Sequence, residues 1–577
     1  MATRAGPARR PFALVGAGLR VDPLVIAAAI PILLILVLLG AVAKLAFQET
    51  VLDGTPTVRH FVEFATDEAA AVALRNTALY AVLTALWALA FGLPIAWLVE
   101  RSDIGKKAAI STAMSIGVLI PGFVYAMGWI LFAHPRSGLL TKLIQDLGFD
   151  RSPLDLLTIP AMAWVDGMSF APVVFILTGA SLRTMDASLE DSAQMCGADF
   201  VTRMRRVTLP LVLPGLLGAA IYVFTIALSS FDVPLVIGLS NRIYVFSTYL
   251  YTQVQRFEGA PAYEVAAAFS LFMIAFGVVL AWIYGRMLVR ARTYQVVTGK
   301  GYRPRLTALG RWRPIAWVFL AGYLLLSLGL PIVVLLWTSI LPFPQLPSAR
   351  AFASLTTVNY TELNWPLIAR AVRGTVLLMI FSPVVALCAA LAVSWFVLRT
   401  RHRLRYAVDF VAFLPQVVPR IVFAFAALML TIGVWVVLPI DVYGSIGLLV
   451  VVLALVQLPF ATRLVNASLI QIHSELEEAA RTAGAATFNV LRSVTIPLIR
   501  PALTYGWVWL ALLAYRELTI PTILRAGDTI TVSAVIYDNY INGLLGPLAA
   551  LVVLMLLVLI PLIGLYWRVG GSRRPTV

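Results

Sequence analysis

SELEEAARTAGAATFNVLRSVTIPLIRP, residues 474–501, is a polar island between two long apolar segments. Ser474 with Glu477 three positions on has the form of a capping box, which predicts that a helix starts here. Leu476, Ala479, Ala480 and Ala483 then fall on one face at helical spacing. Gly484 ends that helix, because glycine turns freely through positive φ. A second short helix over 487–494 leads to Pro497 and Pro501, which open the next apolar segment. The product is two short helices joined by a glycine bend, with an alanine surface that a partner can approach closely.

The pattern occurs once more, as SLEDSAQMCGADFVTRMRRVTLPLVLP over 188–214. Gly197 precedes Pro210 by thirteen residues and Gly484 precedes Pro497 by thirteen, so the copies lie 287 positions apart. The repeat extends beyond the loops. Arg75-Asn76-Thr77 matches Arg373-Gly374-Thr375, Trp97 through Arg101 matches Trp395 through Arg399, and Pro121 matches Pro419, all at 298 positions. Pro214 with Pro501 and Pro234 with Pro521 keep the shorter register, so the second half has a shorter outside loop after its third span.

The 577 residues are 60% hydrophobic and 12% charged, the balance of a polytopic membrane protein. Apolar runs of about 20 residues recur along the chain, each long enough to cross a hydrocarbon core of about 30 Å. Twelve spans are predicted: 23–44, 74–99, 108–132, 157–182, 211–231 and 263–284, then 314–337, 375–397, 407–431, 444–465, 502–522 and 545–567. The expected fold is therefore all-α, as two six-helix repeats over 23–285 and 314–568. A basic tail (1–22), a basic linker (286–313) and a C-terminal tail (569–577) complete it. Each half has an even number of spans, so corresponding spans run the same way and the repeat is parallel. The net charge of +16 does not point to nucleic acid. Roughly two-thirds of the 44 Lys and Arg residues fall in loops on one side, which is the positive-inside asymmetry and places both termini in the cytoplasm. Two cysteines, Cys196 and Cys388, make no disulfide framework, and His60, His134, His402 and His473 have no metal-ligand spacing. No GxxxxGK[ST] occurs, so the chain has no Walker site of its own for ATP.

The paired loops resemble the EAA loop of type I ABC importer permeases: Glu-Ala-Ala, three residues, Gly, nine residues, Ile, any residue, Leu-Pro. The second copy carries Glu478-Ala479-Ala480, Gly484 and Val494-Thr495-Ile496-Pro497. The first is degenerate, with Asp191-Ser192-Ala193, Gly197 and Val207-Thr208-Leu209-Pro210. The resemblance implies that Glu190, Asp191, Ala193 and Gly197, with Glu478, Ala479, Ala480 and Gly484, dock two copies of a cytoplasmic ATPase, which would hold the ATP and magnesium. It also implies a bacterial inner-membrane location and a periplasmic or extracellular substrate-binding protein, with no cofactor in this chain. The fusion of two domains, the linker stretch VTGKGYRPR (297–305) and the segment YRELTIPTILR (515–525) resemble the iron(III)-type subgroup. Thiamine, phosphonate, polyamine and sugar-phosphate carriers share that subgroup. An ion-coupled secondary transporter of six plus six helices is the competing class; it would favour an intramembrane carboxylate or histidine relay and has no use for two such loops.

Charged residues near the later spans are the candidate substrate pathway, because charge in a membrane is costly without use. Arg516-Glu517 precedes Leu518-Thr519-Ile520-Pro521, and Ser229-Ser230-Phe231-Asp232 precedes Val233-Pro234. Asp232, Arg516 and Glu517 are thus candidates, against the alternative that Arg516 and Glu517 simply pair with each other. Arg420, after Pro415 and Pro419, is placed to stabilise a neighbouring helix end. Tyr244, Tyr249, Tyr251, Tyr263, Tyr537 and Tyr540 are expected in an aromatic belt at the outer face rather than as ferric ligands.

Overall fold

A computed structural model describes residues 23–50, 54–149, 154–186, 188–255, 261–291, 306–437, 442–526 and 529–571. The predicted tail 1–22, half of the linker (292–305, with its 297–305 stretch), and residues 572–577 lie outside them. Within them ten helices are long and apolar enough to cross a membrane, and two sharply bent helix pairs bring the spans to twelve. In chain order the first half has Pro23–Ala46, Glu68–Arg101, the pair Lys107–Leu119 and Gly122–Ala133, Ile159–Arg183, Phe200–Leu228 and Tyr263–Leu280. The second half has Gly310–Ser339, Trp365–Arg399, the pair Arg405–Val417 and Arg420–Gly433, Ile446–Ile470, Thr487–Tyr515 and Leu545–Tyr566.

The third and ninth spans, predicted as single helices, bend by 94° and 105°. The cause is proline at matched positions. The ring of a proline disfavours helical geometry in the residue before it. Ile120 (ψ 130°) before Pro121 and Val418 (ψ 128°) before Pro419 are accordingly extended. The fifth and eleventh spans also differ from expectation. Each begins in the second helix of its polar loop and ends at Leu228 or Tyr515, short of the predicted ends. Pro210 and Pro497 have no N–H, and the turn before each widens to i−5 pairing: Leu209 N–H bonds to Met204 O, and Ile496 N–H to Leu491 O. The helix therefore continues through the proline.

The halves interlock. The first span packs on the second half, where Leu24 meets Trp395 and Leu491. The seventh span packs on the first half, where the Tyr323 hydroxyl donates to Met168 O at 3.0 Å. Gly128 of the third span lies so close to Pro331 of the seventh that an added Cβ would stand 2.5 Å from the ring. Two matched hydrogen bonds show the repeat in the backbone: Phe246 N–H to Thr77 Oγ1 at 2.7 Å, and Val532 N–H to Thr375 Oγ1 at 3.0 Å. The matched tyrosines Tyr251 and Tyr537 lie close to each other, as equivalent residues do beside a two-fold axis. Tyr249, Tyr251 and Tyr537 are buried, which corrects their assignment to an aromatic belt. They lie on short helices, Phe246–Val254 and Val532–Ile541, that carry them inward, and Tyr249 donates to Asp67.

Beyond the undescribed stretch, Thr307 pairs with Arg101 and Asp103 through Thr307 N–H to Arg101 O (2.9 Å) and Asp103 N–H to Thr307 O (3.1 Å). Asp103 then takes the Leu309 N–H and the Arg313 guanidinium, which hold its carboxyl below the usual carboxylate range.

Because backbone atoms of Pro331 face Gly128, Gly128→Ala is expected to destabilise the protein by about 1–3 kcal/mol. Gly40→Ala, with open space around it, should be neutral or gain up to ~1 kcal/mol. Thermal unfolding of the purified protein in detergent, showing a lower Tm only for the first, checks this.

Candidate functional site

Each polar loop is a short helix closed by glycine. Ser188–Met195 ends at Gly197 (φ +82°), and Ser474–Thr482 ends at Gly484 (φ +88°). The closing bonds are the same in both: Gly197 N–H to Gln194 O and Ala198 N–H to Ala193 O, Gly484 N–H to Arg481 O and Ala485 N–H to Ala480 O. This is the Schellman pattern, and the positive φ at its centre is why glycine stands there.

The outer faces of the two loops are open. Leu189 and Leu476 hold matched positions and are exposed, as are Val201 and Phe488. Glu478, Ala479, Ala483 and Gly484 are exposed, and Asp191, Ala193 and Ala480 half-buried. The alanine surface expected from the spacing therefore faces outward, with no element upon it among the described residues.

Glu477 does not serve the predicted capping box. His473 occupies the N-cap position without a side-chain cap, and Glu477 turns inward, 3% exposed. Its carboxylate lies 3.0 Å from Arg399 Nε and accepts from Thr495 Oγ1 at 3.5 Å. In the first loop Glu190 does the same: it lies 3.6 Å from Arg101 Nη1 and accepts from Thr208 Oγ1 at 2.5 Å. Of the residues assigned to docking, Glu190 thus faces the body of the protein, with Asp191 and Glu478 the acidic positions after the two inward carboxylates. The role of Glu477 was missed because the capping-box pattern offered a local explanation for it. The signal lay in the repeat itself, which pairs Glu190 with Glu477 and Arg101 with Arg399.

The pathway candidates meet where the helices break. Glu517 is buried; its Oε2 accepts from Arg420 Nη1 at 2.8 Å and its Oε1 from Ile520 N–H at 3.2 Å. Arg516 turns away from Glu517 and donates to Val118 O, at the end of the first arm of the third span. The expected alternative, a local Arg516–Glu517 pair, is replaced by two longer-range contacts, one of them across the halves. Asp232 sits against the bend of that same span, since a Cβ on Gly122 would come within 3.3 Å of its Oδ2. A further carboxylate, Asp166, is buried nearby and accepts from Tyr80 (2.6 Å), Ser230 (2.9 Å) and Ser169 (3.1 Å). Asp166 was missed because a lone acid in a fourth span leaves no pattern. Among the described residues no three His, Cys, Asp or Glu side chains converge in a metal-binding group.

The model of the family described as "Binding-protein-dependent transport system inner membrane component" matches residues 69–292 and again 384–570. The chain belongs to that family. As a fused permease it carries two copies of the family's domain in one polypeptide. It is similar to the Fe(3+)-transport system permease protein FbpB 2 of Haemophilus influenzae, 22% identical over 511 residues, 88% of this chain and 92% of that one. It is also similar to the ferric transport system permease protein FbpB of Actinobacillus pleuropneumoniae, 22% identical over 504 residues, 86% of this chain and 70% of that one. Among solved structures, a bacterial ABC transporter importing the acidic polysaccharide alginate matches 43% of this permease and 87% of its own chain, at 22% identity and a TM-score of 0.34.

Glu517 is buried whereas the Arg420 side chain is half-exposed, so the two ends of the pair are not equivalent. Arg420→Met strands a buried carboxylate and is expected to cost about 1–3 kcal/mol. Glu517→Gln removes the buried charge and leaves Arg420 within reach of solvent, so its loss of Tm should be the smaller of the two. The order of the two midpoints in thermal unfolding decides.

Proposed function

We propose that this permease is the membrane conduit of an ATP-driven importer in the bacterial inner membrane, moved by two cytoplasmic ATPase subunits that dock on the loops at 188–197 and 474–484. The observation that carries this reading is the pair of Schellman-closed helices, open on their outer apolar faces and each leading into a helix that runs on through the membrane. A secondary transporter has no use for such a surface. ATP and magnesium are bound by the partner, and this chain contributes no catalytic group. The linker and both termini lie with the loops on the cytoplasmic side, in accord with the distribution of Lys and Arg. On the opposite side a substrate-binding protein delivers the cargo.

Iron(III) is the cargo we propose, supported by the two ferric permeases that match over most of this chain. Asp232, Arg516 and Glu517 line its route at the helix breaks. The cluster carries both signs of charge, which suits a gate that an ion passes rather than a site that retains it.

The test is reconstitution of the permease with its ATPase and binding protein in liposomes. Gly484→Pro fixes φ near −65° where +88° is required, and Glu478→Lys reverses the outward acid. Each is expected to cut ATPase co-purification and uptake at least ~10-fold while the permease still inserts, the scale that ~1.4 kcal/mol of lost docking energy gives. Uptake of radiolabelled iron by the wild type tests the cargo, and wild-type transport by either variant would remove the docking assignment.

A further inference from the structure

The cytoplasmic ends of the two halves share an arrangement that docking alone does not require. Arg101 and Arg399 are the last residues of the second and eighth spans. Arg101 Nη2 donates to Leu182 O (2.7 Å) and Met185 O (3.0 Å), at the end of the fourth span. Arg399 Nη2 donates to Leu469 O (3.1 Å) and Ile472 O (3.2 Å), at the end of the tenth. Leu182 and Leu469 lie in the last turns of those helices, and Met185 and Ile472 just beyond them, where intrahelical i→i−4 donors run out. The same guanidiniums face Glu190 and Glu477 in the first turn of the loop helices, and those carboxylates take Thr208 and Thr495 from the widened turn that opens the fifth and eleventh spans. One Arg–Glu–Thr group thus ties four elements together, and it occurs in both halves at matched positions.

We propose that Arg101–Glu190–Thr208 and Arg399–Glu477–Thr495 are positioning anchors that make each docking loop move as one body with three spanning helices, so that displacement of the loop reaches the conduit.

The inference rests on the docking reading and goes one step past it. A helix of eight or nine residues held only by a glycine bend and a short connection would rock under load. A carboxylate in its first turn, on the face opposite the docking surface, removes that freedom. Burying an ion pair is a poor route to stability, because desolvation offsets much of the attraction, but it fixes register. The outward residues differ between the loops, Asp191-Ser192-Ala193 against Glu478-Ala479-Ala480, whereas the three anchor residues are identical. The halves use the group unequally. In the first, the carboxylate leans on Thr208, and the buried Arg101 Nε and Nη1 make no hydrogen bond. In the second it leans on Arg399. The first anchor also reaches the linker, since Thr307 binds the Arg101 backbone.

The experiment uses the full complex in proteoliposomes and three readouts: ATPase retained on the purified permease, cargo imported per ATP hydrolysed, and amide exchange across residues 475–484. Glu477→Gln is expected to keep the ATPase bound, lower import per ATP at least fivefold and speed exchange in the loop. Glu477→Asp, which keeps the charge, should recover at least half of the import ratio. Thr495→Val, a milder change, should lower the ratio about twofold and keeps the test open if Glu477→Gln does not insert. An unchanged import ratio in Glu477→Gln, or in Thr495→Val where that variant stands in, overturns the proposal. So does loss of the ATPase from Glu477→Gln, which would make Glu477 a docking residue. Failure of the wild-type permease to retain any ATPase would instead sink the docking reading on which the anchors rest.

Discussion

A hydrocarbon interior offers a backbone carbonyl nothing to bond to, so every break in a spanning helix must be matched by a donor from the protein itself. The long side chains of this protein are placed to meet that demand. Arg516 reaches Val118 O where the third span bends, and the Tyr125 hydroxyl reaches Gly117 O one residue earlier. Arg101 and Arg399 cover the ends of the fourth and tenth spans. Tyr540 donates to Val236 O in the other half. Several of these donors come from a different half or a distant span, so satisfying a break also joins elements. The breaks in the spanning helices and the contacts that hold the protein together are thus the same features.

The two halves agree at the polar loops and diverge at the helix breaks. Glycine bend, widened turn and Arg–Glu–Thr group coincide at the loops. At the helix breaks the matched positions carry Gly122 against Arg420, Ser230 against Glu517 and Asp232 against Thr519. The backbone nevertheless keeps its symmetry there, because Ser247 donates to Ser230 O and Ser533 to Glu517 O, each at 2.5 Å. Asp166 of the fourth span is matched by Leu453 in the tenth. Fusion in one polypeptide permits this. Two identical subunits would place each charge twice, and a buried carboxylate repeated across an axis without a partner is strongly unfavourable. Here a single Asp232 faces a single Arg516–Glu517–Arg420 group.

What the sequence made legible follows from how locally each feature is encoded. Twelve spans follow from apolar run length, and the glycine bends follow from the residue itself, since positive φ leaves few alternatives at Gly197 and Gly484. Span starts are poorly placed where proline is read as the opening of a span. Pro210 and Pro497 sit inside continuous helices because the preceding turn widens, a choice made by the packing around them. Pro121 and Pro419 do break their helices, and nothing in the residue separates the two cases. Pairings over long separations were the least accessible. Glu477 fits a capping box with Ser474, yet a span 78 positions away supplies a better partner in Arg399. The tyrosines failed for a related reason: amphipathic rings suit a membrane boundary and a buried two-fold contact equally well.

The widened turns at Pro210 and Pro497 have a mechanical consequence that a true kink would lack. From Thr487 to Tyr515 the helix is unbroken over 29 residues, about 40 Å at 1.5 Å per residue. One end lies just beyond the glycine bend of the second polar loop, and the other is followed directly by Arg516 and Glu517. The first half repeats this, from Phe200 to Leu228, with Ser229 and Ser230 following. A flexible joint at either proline would absorb movement near the polar loops. A continuous rod carries a tilt at one end to the other, where Arg516 holds the bend of the opposite half by a carbonyl and Glu517 holds the ninth span through Arg420. The least expendable part of this design is therefore the backbone between Leu491 and Thr495, where five residues of i−5 pairing keep a proline-containing helix whole.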